Sequence, residues 1–161
     1  MITKDEYSNV IAMKHGILLK QLEDLTHADS LVQPQPGGNC MNWVMGHLVE
    51  CLVYIIDVLG GEHPPGLPDL AHYGHNSEPV QCDGPGVIDL HELIDAYSVL
   101  VNAITEQLAQ MGEADFDEEI DTFLGKVRRG HAALFYFFHN SYHIGQLEQL
   151  RNLAGRTEKV I

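Results

Sequence analysis

At 161 residues, with 45% hydrophobic and 20% charged side chains, the chain has the size and composition of one globular domain, residues 1–161. Its formal net charge is −14, and between Gln21 and Gly125 stand 19 Asp or Glu and no Lys or Arg, a balance that repels phosphate backbones and anionic lipid and so excludes nucleic acid and membrane surfaces as partners. Met1 to Glu6 lacks the pattern of a signal peptide, the apolar stretch Leu48 to Leu59 is interrupted by Glu50 and Asp57, and three cysteines without paired spacing read as reduced thiols, all of which suit a cytoplasmic protein.

Apolar residues at helical spacing predict a first helix over residues 3–26, with Thr3 as its cap and Asp5 and Glu6 in its first turn. His27 to Ser30 opens a connection through Pro34 and Pro36-Gly37-Gly38, residues that favour turns over helix. Asn42 suits the cap of a second helix over residues 42–59, which carries Trp43, His47, Glu50 or Cys51, and Tyr54 near one face and is stopped by Gly60-Gly61. Residues 60–87, dense in proline and glycine and bearing His63, His72 and His75, form a long aperiodic loop, read as a lid or an insertion. Asp89 and Glu92 make a capping-box-like start to a third helix over residues 89–111, whose apolar stripe is unbroken. Glu113 to Asp121 reads as an acidic linker, and a last helix over residues 128–154 places Ala132, Phe135, Tyr136, His139, His143, Leu147 and Leu150 at steps of three or four, with Gly155 as its stop. Four such helices with a long connection between the second and third predict an all-α, antiparallel four-helix bundle.

His139 and His143 lie four apart, about 40° around a helix and one turn along it, so both imidazoles can reach one ion. His47, on another stripe that must face the same core, is the candidate third ligand. One divalent cation satisfies three imidazoles that would otherwise each need a buried polar partner, and a three-nitrogen face leaves a coordination position open. A zinc peptidase needs a glutamate directly after the first histidine of such a pair, and here Asn140 stands there. The Glu-x-x-His pairs of di-iron bundles are also missing.

The run Pro36-Gly37-Gly38-Asn39-Cys40-Met41-Asn42-Trp43 leading to Gly46-His47-Leu48, together with His139-Asn140-Ser141-Tyr142-His143-Ile144-Gly145-Gln146-Leu147, resembles the DinB-like (YfiT-like) superfamily over essentially the whole chain. The resemblance implies a four-helix bundle, often dimeric, that binds one divalent ion through a histidine of the second helix and two of the last, here His47, His139 and His143. It implies nickel or zinc, with manganese or iron as further candidates, and Asn140 departs from the acidic residue often found at its position. It further implies a metal-dependent enzyme acting on a small molecule, with a low-molecular-weight thiol as co-substrate in S-transfer or isomerisation. Metal-assisted hydrolysis and a non-catalytic binding or dimerisation module are the alternatives. The acidic middle of the chain counts against thiols that carry carboxylates, because those groups call for Arg or Lys partners. Phe135, Phe137, Phe138 and Tyr142 spread over more than one face of the last helix, which adds to the expectation of a homodimer.

Overall fold

The computed structural model describes residues 2–123 and 125–160. It is mostly helical, with four long helices, α1 (Lys4–Leu22), α3 (Met41–Leu59), α4 (Leu90–Gln110) and α6 (Arg129–Leu153). Between them lie two short helices, α2 (His27–Ser30) and α5 (Glu113–Asp117), a 3-10 turn at Ala71–Tyr73, and a hairpin of β1 (Glu119–Thr122) and β2 (Gly125–Arg128). α3 packs on α4 and α6, and α1 packs on the same two, so the long helices surround one core. Among the described residues α3 is the one helix long and apolar enough to cross a membrane, and most of it is buried between its neighbours.

The helix ends follow local chemistry more closely than the apolar stripes do. At the start of α1 Glu6 N donates to Thr3 Oγ1 and Thr3 N donates to Glu6 Oε2, a reciprocal cap. The predicted first helix runs to residue 26, but α1 stops at Leu22, with Asp24 at φ 60°, and Thr26 caps the separate turn α2 through Asp29. The C-terminal end of α1 is closed instead by Arg151, whose Nη1 donates to the carbonyls of Gln21 and Glu23. Asn42 is not the cap of α3: that helix begins at Met41 after Cys40, and the Asn42 side chain is buried inside its first turn. Gly60 ends α3 at φ 69°, a left-handed conformation that suits glycine. Asp89 caps α4 through His91 N rather than through a box with Glu92.

The predicted acidic linker is not a linker. Glu113–Asp117 is helical, and the hairpin pairs Glu119 with Arg128, Ile120 with Val127 and Asp121 with Lys126, setting opposite charges across the strands. Buried Phe116 packs at 6.0 Å from the Tyr7 ring and close to the bare Cα of Gly130, which fixes this corner against α1 and α6. Segments this short hold too few residues to show a periodic pattern.

The middle of the 60–87 loop is pinned to α3. Tyr73 is fully buried, and its ring lies so near Gly46 that a side chain there would overlap it. Its hydroxyl donates to Asn42 Oδ1 (2.9 Å) and accepts from Ile88 N (2.8 Å), while Asn42 Nδ2 donates to Ile88 O (2.8 Å). Trp43 Nε1 donates to Ser77 Oγ (3.0 Å), holding the next stretch of loop.

Two substitutions test this anchor. Gly46→Ala adds helix propensity of about 1 kcal/mol, yet forces the Tyr73 ring away, and the overpacking cost of about 1–3 kcal/mol or more should win. Tyr73→Phe leaves Asn42 Oδ1 and Ile88 N–H unpartnered, at about 1–3 kcal/mol. Denaturant titration is expected to show both variants less stable than the parent.

Candidate metal centre

α3 and α6 each bring histidine to one point between them. His47 projects from the second turn of α3 and is 4% exposed. Its Nδ1 lies 2.8 Å from the carbonyl oxygen of Tyr73, an acceptor only, so Nδ1 carries the proton and Nε2 presents a lone pair. Glu50 Oε2, buried one turn along α3, stands 3.2 Å from the same Nδ1 and has no other polar partner, while Tyr54 OH donates to Glu50 Oε1. The Trp43 indole stacks on the His47 ring at 4.9 Å and 20°. The imidazole is thereby fixed in tautomer and in plane.

His143 repeats the arrangement on α6, its Nδ1 donating to Gln146 Oε1 at 2.7 Å and leaving Nε2 free to accept. His139 stands between the two. Its Nε2 is 3.0 Å from His47 Nε2 and 3.2 Å from His143 Nε2. Two of these three nitrogens are committed as acceptors, so at most one proton, on His139, is left to serve both contacts. A cation among them satisfies all three lone pairs at once. Tetrahedral zinc-type bonds to nitrogen of about 2.0–2.1 Å imply ligand-to-ligand edges of about 3.3 Å, close to the spacings found.

Sequence reasoning passed over Cys51. Its Sγ lies 3.7 Å from His47 Nε2, and His47, Cys51 and His139 form a His/Cys/His cluster whose ligand atoms all lie within 4.8 Å of one another, a group that could hold a metal ion. The signal was present: Cys51 follows His47 by four, as His143 follows His139, so each pair stacks on one helix face. It was hidden by an odd cysteine count, which speaks only to disulfides. Burial pushes the Cys51 thiol up to about 12, with the Glu50 carboxylate adding to the shift, so without a cation it is a neutral thiol.

The loop histidines take no part in the cluster: His63 pairs with Asp57 on the surface and His72 is exposed, while His75 reaches the rim of the cleft. The core stripe of α6 also differs from expectation. Ala133, Asn140, Ile144 and Leu147 are buried, whereas Phe135, Tyr136, His139 and His143 are half-buried at its edge, which is what opens the histidines to a cleft. That cleft has a volume of about 640 Å³ and is walled by Trp43, Asn76, Tyr142 and Gln149, with the three histidines in its lining.

The DinB superfamily model matches residues 15–147. Among solved structures the chain is similar to the crystal structure of a conserved protein from Enterococcus faecalis, with a TM-score of 0.73 over 96% of this chain and 98% of that one. At 20% identity the likeness is one of fold. No curated protein matches the chain.

Burial favours the neutral form of the two α6 histidines. It pulls His143 down to about 4, against the opposing hydrogen bond to Gln146, and it lowers His139 with a further push from neighbouring His47. An unfolded chain protonates these imidazoles near 6.5, so between about 6.5 and 4 the unfolded state binds more protons. Stability of the metal-free protein should therefore fall as pH drops through that window and level off below it. Thermal midpoints measured in chelator should follow this slope, and His143→Gln should flatten it.

Proposed function

The chain belongs to the DinB superfamily, and we propose that it is a divalent-metal protein in which His47, His139 and His143 hold one ion, nickel or zinc, at the floor of a substrate cleft. The observation that carries this is the approach of three Nε2 atoms, 3.0 and 3.2 Å apart, with the Nδ1 atoms of His47 and His143 each donating to an acceptor behind. Such an ion supplies Lewis acidity for an anionic nucleophile or a polarised electrophile. The protein's own side chains do the rest: Tyr73 O and Gln146 orient the rings, Trp43 shields the α3 side, and the cleft admits a small molecule. Membership of the superfamily supports thiol-dependent S-transfer or isomerisation on a small-molecule substrate, with metal-assisted hydrolysis as the runner-up and a non-catalytic metal-binding module as the other alternative.

One observation favours a second reading. Cys51 Sγ at 3.7 Å from His47 Nε2 is near the nitrogen-to-sulfur edge of about 3.6 Å that tetrahedral zinc-type bonds imply. If Cys51 as a thiolate joins His47 and His139, the shell is that His/Cys/His set closed by a further ligand, and the centre is structural.

Elemental analysis of the purified chain and of single variants separates these. The parent should carry about one divalent ion, and alanine at His47, His139 or His143 should weaken binding by at least about 100-fold. Cys51→Ala should retain the ion if the site is open and lose it if the shell is closed. Metal-dependent loss of an electrophilic acceptor that needs an added thiol, and that His143→Ala abolishes, supports the transferase. Turnover in water alone moves the assignment to hydrolysis.

We also propose a homodimer that buries the outward stripe of α6. Phe137 is taken up internally against Tyr7 and Lys14, and Phe135 packs on Phe123, but Phe138 and Tyr142 are 71% and 60% exposed, four residues apart on one face. Sedimentation at micromolar concentration should show a dimer that Phe138→Glu disrupts. A parent that is monomeric throughout overturns it.

A further inference from the structure

The lining of the cleft carries information about what enters it. Among the described residues that form its walls there is no Lys, Arg, Asp or Glu. Apart from histidine, its polar groups are the amides of Asn39, Asn76, Gln146 and Gln149 and the hydroxyls of Ser77 and Tyr142, set between Trp43 and the apolar Leu150 and Leu153. The cations of this chain are engaged elsewhere. Arg151 lies on α6 beside the wall residue Leu150 in sequence, but it donates to the carbonyls of Gln21 and Glu23 at the end of α1. Arg156 donates to Asp24 O, and Arg129 to Val58 O and Glu118. Lys14 is buried over the Phe137 ring, and Lys20 and Lys159 line a different cleft.

A carboxylate entering this cleft would give up water for amides and aromatic rings, with no cation to pair with and with the field of a −14 chain against it. An anionic group at the centre itself meets the ion. The two requirements differ by position: negative charge is favoured at the floor and disfavoured along the walls.

On the premise that the ion keeps an open position, we propose that the cleft selects a thiol, or another single-headed anion, whose body is uncharged and polar, and discriminates against carboxylate-bearing thiols. Asn39, Asn76 and Gln149 supply donors and acceptors for amide or hydroxyl groups of that body, and Trp43 and Tyr142 supply aromatic surface. Gln146 is not available in the same way, because its oxygen already accepts from His143 Nδ1.

The test uses the full chain loaded with cobalt(II), titrated with N-acetylcysteine and with its methylamide, which share a thiol and differ in one charge. The thiolate charge-transfer band gives each affinity without reference to turnover. The methylamide is expected to bind about 10- to 100-fold more tightly, the range a missing charge-assisted hydrogen bond produces. Gln149→Arg places a cation on the exposed rim in a helix that tolerates arginine as well as glutamine. It should tighten N-acetylcysteine relative to the methylamide by about tenfold, narrowing or reversing the preference of the parent. Equal affinities in the parent, or a preference for the carboxylate, overturn the selectivity while leaving the metal site standing. A cobalt centre that binds one equivalent of metal and answers to neither thiol overturns the open position, and this selectivity with it.

Discussion

The approach of the Tyr73 ring to the bare Cα of Gly46 governs the geometry of the centre, because everything that orients His47 arrives with it. With no Cβ on Gly46, a buried aromatic ring can lie directly on the helix backbone, and the 3-10 turn that carries it comes within reach of α3. The Tyr73 carbonyl then meets His47 Nδ1, and the hydroxyl at the far end of the same residue meets Asn42 and Ile88. One residue thus sets a histidine tautomer with its backbone and ties the loop, α3 and the entry to α4 together with its side chain. A long loop otherwise rich in proline and glycine acquires a fixed point where the chemistry needs one.

Behind the histidines the core is polar in a way that selects amide over acid. Asn140 is fully buried on α6. Its Oδ1 accepts from Tyr97 OH at 3.1 Å, and its Nδ2 faces the carbonyl of Leu48 at 3.4 Å. A carboxylate in that position could accept from Tyr97, but it would turn a second acceptor oxygen toward the Leu48 carbonyl. An amide therefore has a physical account at this position, which bridges α6 to α3 and α4 rather than facing the cleft. The acidic partner of the centre is Glu50 instead, placed one turn after His47 with an oxygen 3.2 Å from Nδ1. Lys14 is a further buried ionisable group of this interior, its amine over the Phe137 ring at 4.5 Å, and burial pulls it down to about 7. It loses much of its charge near neutrality, which lowers the cost of having no polar partner.

The charge distribution joins these local features. An excess of carboxylates surrounds the cluster of imidazoles, so the field of the molecule draws cations toward the centre and resists anions. Three arginines sit near element ends, where Arg129, Arg151 and Arg156 donate to backbone carbonyls and tie α6 and the segment after it to α3 and to the end of α1. They act as caps for the fold and leave the cleft to neutral groups.

Much of this was legible in residue order. A 3.6-residue period is a property of the chain itself, so the four long helices and the all-α class follow from it, as do the Thr3 cap and the Gly60 stop. The spacing of His139 and His143 puts both on one helix face for the same reason, and the pair has to be completed from another helix. What residue order could not decide is which faces meet. That Asn42 turns inward to the loop instead of capping α3, that Cys51 lies beside His47 at the cluster, and that Glu113 to Arg128 folds as a turn of helix and a hairpin all depend on partners distant in the chain. The cleft depends on them too. Buried polar groups must find their hydrogen bonds wherever packing brings a donor or acceptor, and that choice belongs to the tertiary structure.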